Sequence, residues 1–184
     1  MSLRIISGSL GGRYIEAPSG RRTRPTRARV REAWFSLLGD EIEGAAVLDL
    51  FAGSGALGIE ALSRGATTVH FVERDRAVFG VLRRNVAGMG LQERTVLHRQ
   101  DVFRFLVDRK EVLSFDIALA DPPYGRGAAS RLVEEFRRRP FAELLCLEHD
   151  AEEPAGDRAD RQRQYGDTML SFFMAPKGGD TGAS

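Results

Sequence analysis

The order of apolar and polar segments predicts an α/β fold: a mostly parallel sheet with helices on both faces, a small basic N-terminal β-hairpin and arm before it, and a C-terminal hairpin closing it. Three observations predict it. After Gly44, short strand-like runs alternate with helical stretches, as in parallel strands joined by crossover helices. The first strand, Val47–Phe51, passes through Gly53-Ser54-Gly55 into a helix that carries Leu57, Ala61 and Leu62 on one face. Near the end, Gln164–Tyr165 and Thr168–Met174 flank Gly166-Asp167, a pair suited to a tight turn.

Taken in order, Leu3–Ser7 and Tyr14–Ala17 read as short strands around the Gly11-Gly12 turn. Pro25-Thr26 reads as a helix entry with Thr26 as the cap, and Val30, Ala33, Trp34, Leu37 and Leu38 form the buried stripe. The repeat then gives helix Ala56–Arg64, strand Thr68–Val72, helix Arg76–Ala87, strand Thr95–His98 and helix Val102–Arg109. Strand Phe115–Ala120, helix Ala129–Arg139 and strand Leu144–Leu147 follow, with a polar loop expected over Ala151–Gln162. Three units result: residues 1–25 as a basic hairpin and arm, 26–176 as the α/β domain, and 177–184 as a tail.

At 184 residues, with 42% hydrophobic and 29% charged, the chain suffices for one domain with a full core and a small appendage. No apolar run approaches the ~18 residues of a membrane span and no leader opens the chain, so a soluble, cytoplasmic protein is expected. A single cysteine, Cys146, rules out an intramolecular disulfide and a cysteine-rich metal site. No metal is expected, because His70, His98 and His149 share no ligand spacing; packing or surface roles are assigned to them. Cys146 reads as strand packing, the run Glu148, Asp150, Glu152, Glu153 as a solvated loop (unless Glu148 at a strand end lines the cleft), and Arg137-Arg138-Arg139 as a helix end.

The net charge of +1 conceals an asymmetry: residues 1–31 hold eight arginines against Glu16 alone, a local +7, which leaves −6 for the other 153 residues. Arg4, Arg13, Arg21, Arg22, Arg24, Arg27, Arg29 and Arg31 fit phosphate contact, since guanidinium pairs bidentately with phosphate oxygens. A solvated arm is the alternative that charge alone leaves open.

The chemistry gathers at strand ends. Gly53-Ser54-Gly55-Ala56-Leu57-Gly58 matches G-x-G-x-x-G, and Glu73, 20 residues past Gly53, is placed for ribose hydroxyls. These fit any adenosine-bearing cofactor. Asp49, inside an apolar strand, favours a cationic moiety such as a methionine amino group and would repel a pyrophosphate, while Asp101 is placed for the adenine amine. In Asp121-Pro122-Pro123-Tyr124, the Asp121 carboxylate and the Pro122 carbonyl offer two acceptors to one planar amine, and Tyr124 offers a ring to stack on a base. A Pro-Pro turn with a capping Asp is the plainer reading of that tetrapeptide; its register with the glycine loop favours the functional one.

Asp49-Leu50-Phe51-Ala52-Gly53-Ser54-Gly55 and Asp121-Pro122-Pro123-Tyr124 resemble the motifs of class I S-adenosylmethionine-dependent amino-methyltransferases. With Arg4-Ile5-Ile6-Ser7-Gly8, Arg24-Pro25-Thr26 and Arg29-Val30-Arg31-Glu32, they resemble the bacterial RsmD-type enzymes, over most of residues 3 to 125. The resemblance implies a Rossmann-like seven-stranded sheet whose last strand is antiparallel, and transfer of a methyl group from S-adenosylmethionine to the exocyclic N2 of a guanine in 16S ribosomal RNA. It implies that Asp49, Gly53, Gly55, Glu73 and Asp101 hold the cofactor, that Asp121, Pro122 and Tyr124 sit at the target amine, and that Arg24, Thr26, Arg29 and Arg31 lie near the cofactor mouth and RNA; the expected cofactor set also takes in Phe51, Ser54, Arg74, Val102 and Thr26, and the expected catalytic set Pro123. Ribosomal RNA or a small-subunit assembly particle is the expected partner, and the protein is expected to be a monomer. The family often has Asp where this chain has Ala28, before Arg29. The alternatives are adenine-N6 or other amino-methylation of nucleic acid, an NAD-dependent dehydrogenase, and a non-catalytic RNA-binding assembly factor.

Overall fold

The computed structural model describes residues 2–18, 25–108, 115–123, 127–153 and 155–176; of 25–27 only the backbone is described. Nine strands and five α-helices are present among the described residues. β1 (Ser2–Arg4) and β2 (Tyr14–Glu16) pair antiparallel. After them come α1 (Pro25–Leu38), β3 (Ala46–Leu50), α2 (Ala56–Ser63), β4 (Thr68–Val72) and α3 (Arg76–Met89). β5 (Thr95–His98), α4 (Val102–Asp108), β6 (Phe115–Ala120), α5 (Ala128–Arg138) and β7 (Ala142–Asp150) continue the alternation. β8 (Arg161–Tyr165) and β9 (Thr168–Met174) close the chain.

The main sheet has seven strands in the order β5-β4-β3-β6-β7-β9-β8. β3, β4, β5, β6 and β7 run parallel; β9 is antiparallel to both β7 and β8. The expected fold class is borne out. Chain order reverses between β3 and β6, and at such a switch point the connections leave to opposite faces and open a crevice at the strand C-termini.

Alternation along the strands supplies two core layers. Val47, Ile117 and Cys146 face one layer with Val30, Trp34 and Leu38 of α1, Ile59 of α2 and Leu82 of α3. Leu48, Leu50, Ala118 and Leu145 face the other, against Phe105 of α4 and Leu132, Val133 and Phe136 of α5. Trp34 is fully buried in the first layer, as its stripe required.

Several boundaries differ from the sequence reading, for local reasons. α1 already includes Pro25, whose fixed φ suits a first helical turn, so the Thr26 backbone is helical and is not the cap. α3 passes through Gly88 and stops at Gly90, whose φ of 72° forms the C-cap. β7 extends to Asp150, taking Glu148 out of the expected loop, and β8 starts at Arg161.

The hairpin is bolted to the sheet domain. Ile5 and Ile15 lie in the first core layer. Glu60 of α2, fully buried, accepts from the Ile6 and Ser7 amides at 2.8 and 3.0 Å. Asn85 of α3 accepts from the Glu16 amide at 2.8 Å and donates to the Glu16 carbonyl at 3.0 Å.

Candidate active site

Asp49 sits in the central strand with 1% of its surface exposed, and its Oδ2 accepts from the Gly58 amide at 2.9 Å, in the first turn of α2. A carboxylate is thus brought under the helix that the glycine loop starts, where amides point outward and the dipole favours an anion. Burial, chiefly, and then the nearby Asp121 and Glu73 raise its pKa well above the ordinary carboxylate value, against the lowering effect of the Gly58 amide.

The loop between β3 and α2 is built on close approach. Gly55 has φ 83°, and a Cβ there would lie 2.5 Å from Leu82 Cδ1; a Cβ on Gly58 would lie 2.3 Å from the Phe71 ring. Phe51 is the one non-glycine residue with positive φ among the described residues, at 58°. Such strain collects at ligand sites. The Ser54 carbonyl accepts from Asn85 Nδ2 at 2.9 Å, so the side chain that holds β2 also holds the loop.

Glu73, just past β4, accepts from the Gly53 amide at 3.0 Å through Oε2 and from the Asp75 amide at 2.8 Å through Oε1. Each oxygen keeps a second lone pair, a geometry suited to a vicinal diol. Asp101 caps α4, its Oδ1 accepting from the Phe103 and Arg104 amides at 3.0 and 3.2 Å. Its Oδ2 lies 3.7 Å from Arg74, which is largely exposed.

Two adjoining cavities result. The larger, about 660 Å³, is walled by Phe51, Glu73, Arg74, Asp101, Val102 and Phe103 among others, and Pro123 reaches its edge. A smaller one of about 90 Å³ is walled by Asp49, Phe51, Gly53, Ser54, Asp121 and Glu148, with Leu3 and Arg31 from the N-terminal region. Phe51 walls both, so the two cavities adjoin along one crevice at the switch point. The structure therefore brings together Asp49, Phe51, Gly53, Ser54, Glu73, Arg74, Asp101, Val102, Asp121 and Pro123 of the predicted set; Gly55 shapes the loop behind them and Pro122 is buried next to Asp121.

Arg31, expected to contact phosphate, also walls the small cavity but is 7% exposed and turned inward: it donates to the Arg4 carbonyl and lies 3.7 Å from Glu60. Arg4 and Arg29 are exposed, and Arg13 donates to the Gly88 carbonyl at 3.1 Å. Tyr124, Arg21, Arg22 and Arg24 lie outside the described residues, as do the side chains of Thr26 and Arg27. Glu60 and Asn85 had no sequence signal beyond a polar residue on the apolar face of a helix. No group of three or more metal-ligating side chains exists among the described residues.

The family described as Conserved hypothetical protein 95 matches residues 3–174. The chain belongs to that family. Its relatives include Escherichia coli (strain K12) "Ribosomal RNA small subunit methyltransferase D", 33% identical over 189 residues, 98% of this chain and 94% of the relative. Bacillus subtilis (strain 168) "Putative rRNA methyltransferase YlbH" is 36% identical over 180 residues, covering 93% of this chain and 98% of the relative. Among solved structures, a hypothetical protein of Thermus thermophilus superposes with a TM-score of 0.81 at 30% identity, over 94% of this chain and 99% of that one. The RsmD-type resemblance seen in the motifs is thus borne out along nearly the whole chain.

The crevice fits S-adenosylmethionine by the chemistry of its walls. Its volume is of the size that encloses a nucleoside-bearing ligand. Beside the glycine turn stand three carboxylates, Asp49, Asp121 and Glu148, against one guanidinium, Arg31. That balance suits a cationic amino acid group and opposes a pyrophosphate.

Proposed function

We propose that this chain transfers a methyl group from S-adenosylmethionine to the exocyclic N2 amine of a guanine in small-subunit ribosomal RNA. The observation that carries the reading is the shared cavity: Asp121, at the end of β6, and the Gly53 turn, at the end of β3, wall the same small space, with Phe51 joining it to the larger cleft. Bound S-adenosylmethionine supplies an electrophilic methyl group on a sulfonium.

The chain supplies the rest. Glu73 takes the ribose hydroxyls, Asp101 faces the adenine, and Asp49 receives the amino group. Residues 26–176 form this catalytic domain. Asp121 and the Pro122 carbonyl accept the two hydrogens of the target amine, which draws its lone pair out of conjugation and toward the methyl donor. The methylated nitrogen is strongly acidic, so Asp121 needs only to accept a proton from it and pass it to water, not to act as a strong base. Most of the acceleration comes from holding amine and donor in one orientation. A base in this crevice must be unstacked or already single-stranded. The exposed arginines of residues 1–25, Arg4 among them, hold the RNA backbone at the mouth.

The test is methyl transfer in vitro from labelled S-adenosylmethionine to unmodified small-subunit RNA, as naked RNA and as an assembled particle, followed by nucleoside analysis. Label in N2-methylguanosine is the expected result. Label in N6-methyladenosine, or none in either substrate, would overturn the assignment.

A further inference from the structure

Two acceptors on one amine do not distinguish guanine from adenine, because both bases carry an exocyclic –NH2. Something else in the pocket must read the neighbouring ring nitrogen. β6 and β7 are parallel neighbours with Ala120 opposite Leu147, which sets Asp121 and Glu148 side by side, one residue past that last pair. Both wall the small cavity, and Glu148 is 9% exposed. Its place on the strand is fixed from the other side by β9, where it pairs with Leu170.

We propose that Glu148 is the residue that selects guanine, by accepting the N1–H of the base whose N2 amine is held at Asp121. This rests on the methyltransferase reading of the site. On guanine, the amine at C2 and the N1–H are adjacent donors on one edge, and two adjacent carboxylates match them. On adenine, the amine at C6 is adjacent to N1 as a bare lone pair, and a carboxylate facing it is repelled. Flipped bases are read along this edge, and a site built to bond a donor rejects an analogue lacking it far better than a hydrophobic pocket rejects a misfit. Adjacent strands lie about 4.8 Å apart, so two side chains rising from neighbouring positions can converge on one base edge. Glu148 acts as a specificity-determining residue, and Asp121 serves the amine.

The experiment uses the full chain and an RNA whose modified position carries guanine or, by splinted ligation, 2-aminopurine, which keeps the C2 amine but has no N1–H. The wild type is expected to favour guanine in kcat/KM by at least about tenfold, the scale of a hydrogen bond to a charged group. Glu148→Gln is expected to lose most of that preference while its urea transition stays cooperative; Glu148→Asp, which keeps the carboxylate, retains part of it. A wild-type protein that methylates both RNAs equally would overturn the proposal whether or not the variants fold. So would a Glu148→Gln protein that slows on both RNAs by the same factor, the outcome of a purely structural role. A wild type that methylates neither RNA would overturn the methyltransferase reading itself, and this inference with it.

Discussion

Asp49 and Gly58 are joined by a 2.9 Å hydrogen bond that ties the central strand to the first turn of the helix after it. The bond leaves one buried carboxylate oxygen for the cavity, next to Asp121 and Glu73, and the proton affinity of the group is raised accordingly. An acid whose pKa is higher folded than unfolded stabilises the fold at low pH, and that contribution disappears as pH rises through the folded value. Ligand binding has the opposite sign, since an amino group pairs with the ionised form. Affinity for S-adenosylhomocysteine, followed by calorimetry, is therefore expected to rise with pH across that ionisation. Asp49→Asn, which keeps an acceptor for Gly58, is expected to bind more weakly with a flatter pH profile, and to melt a few degrees higher than wild type at pH 8. A variant that melts lower at pH 8 contradicts this account.

Glu60 carries the attachment of the hairpin. It is fully buried, accepts from two hairpin amides, accepts from Arg64 Nε at 2.9 Å and sits 3.7 Å from buried Arg31. Among the described residues Glu60 is the one carboxylate within ion-pair distance of buried Arg31, so for Glu60→Ala a loss of about 3–5 kcal/mol is expected in urea unfolding. Hydrogen exchange is expected to show the Ile6 and Ser7 amides losing protection first.

Gly58 lets α2 pack closely against β4. In Gly58→Ala the new methyl meets Phe71 Cε1 at 2.3 Å and Val69 Cγ1 at 2.8 Å, contacts that a shift of the helix or of those side chains must relieve. A destabilisation of about 1–3 kcal/mol is expected, the range for overpacked cores. Because the same helix start bonds Asp49, S-adenosylhomocysteine affinity is expected to fall with it.

His70 and His98 form a half-buried pair, with ring nitrogens 3.2 Å apart. Burial lowers the pKa of both, and for His70 the neighbouring His98 adds to it. A histidine with a folded pKa below its unfolded one contributes stability that is full above about 6.5 and is lost as pH falls through that value toward the folded pKa. Between pH 7.5 and 5.5 the urea midpoint of wild type is expected to fall more than that of His70→Leu. An equal fall in both proteins contradicts the assignment.

The sheet was legible because its signal is local. β4, β5, β6 and β9 have the boundaries that their apolar runs and flanking turn residues predict, and the glycine turn, Glu73 and Asp121 sit at strand ends as read. β7 was under-read at both ends, most of all at its polar end, Glu148-His149-Asp150. There His149 is buried, with Nε2 2.8 Å from Ser171 Oγ on β9, and Glu148 faces the cavity. A polar residue satisfied by a partner 22 positions away looks like loop in the sequence. The same holds for Glu60, 54 and 53 residues from the amides it binds, and for Asn85, 69 from Glu16. Arg31 misled for the converse reason: a charge within an arginine-rich run reads as a phosphate contact until its buried partner is seen.

The most direct measurement is mass spectrometry of small-subunit RNA nucleosides from cells with the gene, without it, and carrying Asp121→Ala in its place. The account predicts one N2-methylguanosine present in the first and missing from the other two. A guanosine profile identical in all three would contradict it.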